Sequence, residues 1–376
     1  MRVAVWEVAN RLGVVAGTPG ELLSALLAGP RRTVRVPLPP DHELVRTLLP
    51  LGHVDVVLDE PPAPGPAAPV DLDDPAAVCR ADPVRVTEAY EADPDPHGGL
   101  RPAWLRAGQA LVRDQPSADR ALVLLAALDD AADPRLGAAL TEQATGAPWS
   151  LAWSSRRPCT ALTTTPDGLL VVREDRVLAL ACLPDGTQAV LDERGRLHHR
   201  GGPATRLTDA VAATLASHPA TALAAVDDTV LTGDRMGTVH AFRLDGVEQA
   251  ALHPGRVTAL TATAATTTVY SGGTDGTVRA WQPGRAPARA AVARRPYPVV
   301  ALHARGRLLA IAWADGLVQL HRLATGETVP FRPGPRIRAV AVTADGSLAV
   351  GLDDAVLCLS PPGDSRGRRH RPYRMP

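Results

Sequence analysis

Residues 269–281, VYSGGTDGTVRAW, hold two β-rich stretches around a tight Asp275-Gly276 turn, and the second stretch ends in an indole. The same turn, followed by an alternating apolar stretch, recurs as DERGRLHHR at Gly195, DRMGTVHAF at Gly237, ADGLVQLH at Gly316 and DDAVLCLS at Asp354. The steps are about 40 residues. A further alternating strand precedes three of these anchors, at 256–260, 299–303 and 337–342. Units this small cannot each bury a core, so they must stack on one another.

Short strands at this period are the pattern of β-propeller blades. At these residues the chain resembles the WD-repeat β-propeller family, over roughly residues 176–360. The resemblance is fullest in one unit: His253 precedes the first strand, Asp275 sits in the turn and Trp281 closes the third strand. It implies that these three side chains form a structural hydrogen-bond network, in which the family's Ser or Thr falls on Gly273 or Ser271. Leu252 and Gln282 stand where the family carries Gly and Asp, and the Trp position reads Arg200, Phe242, His321 and Leu359 in the other units. The resemblance also implies a protein or peptide partner. Binding residues are expected in the variable loops, with Arg235 and Trp313 as candidates.

The tail after Ser360 offers no outer strand, so closing the ring requires one from elsewhere. Residues 150–154 are the candidate, because an open sheet edge invites association. The early strands, residues 149–155 and then CTALTTT and LLVVRE with Pro-Asp-Gly turns at 166–168 and 184–186, either form a sixth blade or complete the last one.

Upstream of Trp149 the pattern changes. Residues 2–8 read as a strand with 12–16 as a partner, and Thr18-Pro19-Gly20-Glu21 opens a helix carrying Leu22, Leu23, Leu26 and Leu27. A strand at 33–36, a helix at 41–49 capped by Asp41, and a strand at 53–58 complete a small α/β unit. The Pro-rich stretch 60–70 reads as an extended loop. Residues 84–89 are expected as a strand, and 102–113, 117–129 and 134–145 as helices. The expected fold class is α+β and multidomain. An N-terminal α/β and helical domain spans 1–148, a propeller of five blades, or six, spans 149–361, and a basic tail spans 362–376.

All 40 basic residues are arginine and balance 40 acidic ones. Zero net charge gives no reason to expect nucleic acid or an anionic membrane as partner. The absence of lysine closes Schiff-base and P-loop chemistry to this chain and, with the abundance of Ala, Pro, Gly and Val, fits a bacterial source of high GC content. Cys79, Cys159, Cys182 and Cys358 form no CxxC and read as free thiols. No secretion signal and no long apolar run is present, so a cytoplasmic protein is expected.

Four stretches suggest chemistry. Asp59-Glu60 after an apolar strand is similar to a Walker B end, yet no phosphate cradle precedes it. Gly98-Gly99 beside His97, Arg101 and Arg106 has the composition of an anion site at a helix start, or of a plain surface loop. His198-His199 cannot chelate one ion, because adjacent strand residues face opposite ways, and His198 and His240 sit too far apart in separate units. Arg366 to Arg374 is a basic run suited to an acidic partner or to solvent. No GxSxG and no nucleophile-base spacing stands out. The expectation is therefore a non-enzymatic scaffold without cofactor or metal, with a nucleotide-responsive N-terminal unit as the alternative.

Overall fold

The computed structural model describes residues 2–27, 32–36, 38, 42–59, 69–165, 168–202, 204–264 and 267–361. Five blades follow one another from Val177 onward, each an antiparallel meander that starts at the ring's inside. Blade 1 has three strands, Val177–Cys182, Gln188–Asp192 and Leu197–Arg200. Blade 2 has four, Ala222–Val226, Thr229–Gly233, Thr238–Arg243 and Gly246–Ala251. Blade 3 runs Val257–Thr263, Thr268–Gly273, Thr277–Trp281 and a two-residue edge, Ala293–Arg294. Blade 4 runs Val299–Arg305, Leu308–Trp313, Val318–Arg322 and Thr328–Phe331.

Blade 5 is built from both ends of the ring. Ile337–Val342, Leu348–Leu352 and Val356–Ser360 are completed by Ser150–Ser155, which pairs antiparallel with the third strand from Ser155 at Val356 to Ser150 at Ser360. The early segment thus supplies the closing strand that the sequence demanded. It also supplies a hairpin, Ala161–Thr165 with Gly168–Val172, that fills the sector between blades 5 and 1. Its inner strand packs on those of both neighbours, so the ring closes with five blades and one reduced sheet.

All five anchors fall in the turn between second and third strands. Two of these turns show why glycine stands there. Gly237 and Gly276 have φ of +95° and +69°, and a Cβ on either would lie 2.0 Å or less from a carbonyl oxygen of the linker into the next blade. The linker's amides donate to the anchor carbonyls: Ala220 to Gly195 at 3.0 Å, Leu252 to Gly237 at 2.9 Å and Arg295 to Gly276 at 2.9 Å. Blades 2, 3 and 4 are therefore each docked on the preceding blade by main chain, independently of the side chains in the turn.

The helix Arg206–Ser217 replaces blade 1's outer strand and was not foreseen. Thr205 and Thr208 form a reciprocal capping box, and Leu207, Val211 and Leu215 bury one stripe between blades 1 and 2.

In the N-terminal part, Arg32–Val36 and Val54–Leu58 pair in parallel across the helix Glu43–Leu48, and Pro19–Leu27 is the helix expected from Thr18. His42 caps the 43–48 helix through Nδ1, while Asp41, the expected cap, lies outside the described residues, as do 60–68 and the basic tail.

Two expected strands are helices. Arg2–Leu12 buries Ala4, Val5, Val8, Ala9 and Leu12, a helical spacing that the valines' strand preference obscures, and residues 13–16 make no strand. Pro83–Ala92 starts at Asp82, whose carboxylate accepts from Val84 and Arg85. Asp74-Pro75 and Asp133-Pro134 start the helices Pro75–Arg80 and Pro134–Gln143 in the same way: Asp caps and Pro supplies a first residue needing no donor. Leu100–Leu111 and Ser117–Ala127 complete the set.

The helices share a core with blades 4 and 5: Trp104, Leu122 and Leu140 belong to one apolar cluster with Val318, Ile337 and Leu357. Trp149 stands at the seam, buried, with its indole N–H on the Pro330 carbonyl at 3.0 Å. Trp149→Ala should cost about 3–5 kcal/mol. Because helices and blades share this core, the helical circular-dichroism signal and the tryptophan fluorescence should lose denaturant midpoint together. Two separated transitions would contradict a common core.

Candidate binding surfaces

Successive turns of a meander fall at opposite ends, so the anchor turns and the linkers between blades occupy one face of the ring. Over blades 4 and 5 the N-terminal helices cover that face. Gly334 abuts Ala107, Gly316 abuts Val15, and Arg106 makes a two-pronged pair with Asp354 at 2.5 and 2.7 Å.

In blade 3, His253 is buried between two partners. Nδ1 meets Asp275 Oδ1 at 3.0 Å and Nε2 meets Ser271 Oγ at 2.9 Å, so the register places Ser271, not Gly273, in the network. Thr277 donates to Asp275 from both its hydroxyl and its amide. Burial alone would raise the Asp275 carboxyl, yet the hydrogen bonds from Thr277 and the neighbouring His253 hold it below the usual range. Burial lowers His253, against the pull of Asp275. Trp281 is buried but outside this network, since its N–H is taken by the Arg285 carbonyl at 3.0 Å. These groups hold the blade together.

Blades 1 and 2 use another device. Asp234 Oδ1 accepts from the amides of Met236 and Thr238 at 2.9 and 2.8 Å, and His240 reaches Oδ2 at 3.3 Å. Asp192 does the same for Arg194, Arg196 and His198. The locked turn of blade 2 carries Arg235 into solvent and leaves Met236 78% exposed.

Trp313 is not on a loop. It ends the strand Leu308–Trp313, is 1% exposed and donates to Gln319 Oε1 at 2.9 Å, so the expectation of a contact residue at this position is corrected. Apolar burial of the indole inside the blade outcompetes display. Beside it lies a cluster the sequence did not reveal. Asp315, with a side chain 2% exposed, receives Arg295 and Arg332 on Oδ2, both at 2.7 Å, and Arg332 also donates to the Asp315 carbonyl. Oδ1 has no donor among the described residues. One carboxylate thus staples a turn to two linkers. Asp315→Ala, which strands two half-buried guanidiniums, should cost about 3–5 kcal/mol in chemical denaturation. A loss below 1 kcal/mol would show that the staple contributes little.

The ring's channel opens on the other face as a cavity of about 410 Å3, lined by inner strands, with Thr163, Thr261, Thr263 and Arg305 among its polar groups. His303 sits in its wall. Nδ1 accepts from the Val342 amide at 3.1 Å and Nε2 meets Thr164 at 3.4 Å, so one neutral ring ties blade 4 to blade 5 and to the hairpin. Burial, aided by Arg305, lowers it to about 4. The unfolded chain takes up this proton near pH 6.5 and the folded protein only near 4. Stability therefore falls as pH drops through that window, by on the order of 3 kcal/mol from this group. The stability difference between wild type and His303→Gln, measured by urea melts from pH 7 to 4.5, should shrink as the solution is acidified. A difference constant with pH would contradict the assignment.

The remaining sequence candidates are committed elsewhere. Asp59 is held by Arg11 and Arg35 at 3.2 and 3.5 Å, and Glu60 lies outside the described residues. His97 is buried between Asp73 and Asp93, Arg101 caps the Tyr90 carbonyl and Arg106 is paired with Asp354, so no anion pocket forms around Gly98-Gly99. Burial pushes the thiols of Cys79, Cys159 and Cys358 up to about 12, which leaves them unreactive at neutral pH. Among the described residues no group of three metal-ligating side chains converges, and no helix is long and apolar enough to cross a membrane.

No protein-family model matches the chain, and no curated protein does. Among solved structures, the computationally designed Ika8 protein is similar at 18% identity over 54% of this chain and 70% of its own, with a TM-score of 0.40. The computationally designed Ika4 protein is similar at 22% identity over 39% and 92%, with a TM-score of 0.34. A chain of a Mitotic Checkpoint Complex is similar at 13% identity over 56% and 93%, with a TM-score of 0.37. At such scores these likenesses add nothing to the architecture given by the strand pairing itself.

Proposed function

We propose that this chain is a non-enzymatic interaction protein of the WD-repeat kind, which captures a protein or peptide on the anchor face of its propeller. The supporting observation is the blade 2 turn. Asp234 and His240 fix its backbone, so Arg235 and the 78% exposed Met236 are presented at little further entropic cost. A rigid, exposed methionine beside an arginine is a combination enriched at the cores of protein interfaces. The N-terminal helices cover blades 4 and 5 on the same face, which directs a partner toward blades 1 to 3. A reducing, cytoplasmic setting belongs to this proposal and is in keeping with four free cysteines.

Pull-downs from the native host with the full chain should recover a stoichiometric protein partner. The double variant Arg235→Ala, Met236→Ala should lose it by at least about tenfold while keeping the wild-type melting temperature. Undiminished capture by the variant would move the interface elsewhere, and no stoichiometric partner at all would remove the scaffold reading.

A further inference from the structure

A second cavity, of about 400 Å3, opens where the segment following the helix Leu100–Leu111 and the helix Ser117–Ala127 meet blade 4. Its walls combine Leu122 and Val123 from the helix Ser117–Ala127 with Leu317 and Phe331 from blade 4. Arg113 and Arg332 also line it. Arg332 is engaged by Asp315. Arg113, which follows the first helix, donates no side-chain hydrogen bond and forms no ion pair within the described residues; the charges around it are Arg332, Asp315 and Arg295. Arg295 and Arg332 take the Asp315 carboxylate, and half-buried Arg113 is the guanidinium on the cavity wall left without an ion pair among the described residues.

We propose that this junction cavity binds a small amphipathic carboxylate, with its anionic end on Arg113 and its apolar body against Leu122, Val123, Leu317 and Phe331. The volume is within the range of small-molecule sites, and the lining divides about evenly between apolar side chains and the charged or polar Arg113, Asp114, Gln115, Asp119 and Arg332. A planar carboxylate fits a guanidinium's two parallel donors. Asp114 and Asp119 also line the cavity and disfavour a dianion such as phosphate. Burial and repulsion from Arg332 lower Arg113 to about 10, a cost that a bound anion relieves. A ligand touching both helix and blade binds only their docked arrangement and so strengthens it. Met236 takes no part in this cavity, so carboxylate binding and partner capture fail independently.

The chemistry is shared by a free carboxylic acid and by the last residue of a peptide. Calorimetric titration of the full chain with phenylbutyrate, phenylbutanamide, and a short peptide ending in phenylalanine, as free acid and as amide, separates them. Each acid that binds should do so at least about tenfold more tightly than its amide, the loss of one charge-assisted contact. Tighter binding of the peptide acid assigns the site to a chain terminus, and binding of phenylbutyrate alone assigns it to a free acid. Arg113→Gln should weaken the acids by a similar factor at unchanged circular dichroism. Equal binding of acid and amide by the wild-type protein, no saturable binding of any probe, or undiminished binding by a folded Arg113→Gln would each overturn the proposal.

Discussion

The ring depends on a main-chain contact: the amide in the linker into blades 2, 3 and 4 donates to the carbonyl of the glycine in the preceding blade's second turn. It needs a left-handed residue at the turn and a backbone approach that a Cβ would block, which is the physical origin of the glycine recurring about every 40 residues. With docking set by backbone, side chains in the turns are free to differ. Blades 1 and 2 use an Asp–His lock, blade 3 a His–Asp–Ser network and blade 4 a buried Asp between two arginines.

Where this contact changes, the N-terminal part takes over. The blade 4 anchor, Gly316, faces Val15, and the blade 5 anchor is Asp354, which holds Arg106. The helices are therefore not an appendage. They bury the faces of blades 4 and 5 in a shared core and leave the anchor turns of blades 1 to 3 to solvent. Coverage on one side and exposure on the other give the ring a polarity that its repeat lacks.

Much of the fold was legible in the residues: the repeat, the closing strand expected at 150–154 and found at 150–155, the helix opened by Thr18 and the three helices before Trp149. The errors have local causes. Valines at 3, 5 and 8 carry a β-branched strand preference that the helical spacing of the buried residues overrides, and Asp82-Pro83 caps a helix. The helix Arg206–Ser217 carried a Thr-x-x-Thr signal inside a run of expected strands. Trp313 is followed by the turn residues Ala314, Asp315 and Gly316, but the indole itself ends the strand.

Sequence alone determined the repeating unit and its turn chemistry, since each follows from residues within one blade's length. Tertiary structure alone decided which groups meet across the ring. His303 reaches Val342 and Thr164, Arg113 lies near Arg295, Asp315 and Arg332, and Trp149 finds Pro330. These contacts join residues far apart in the chain, and their partners are chosen by the curvature of the closed ring and the docking of the helices. No local preference encodes either.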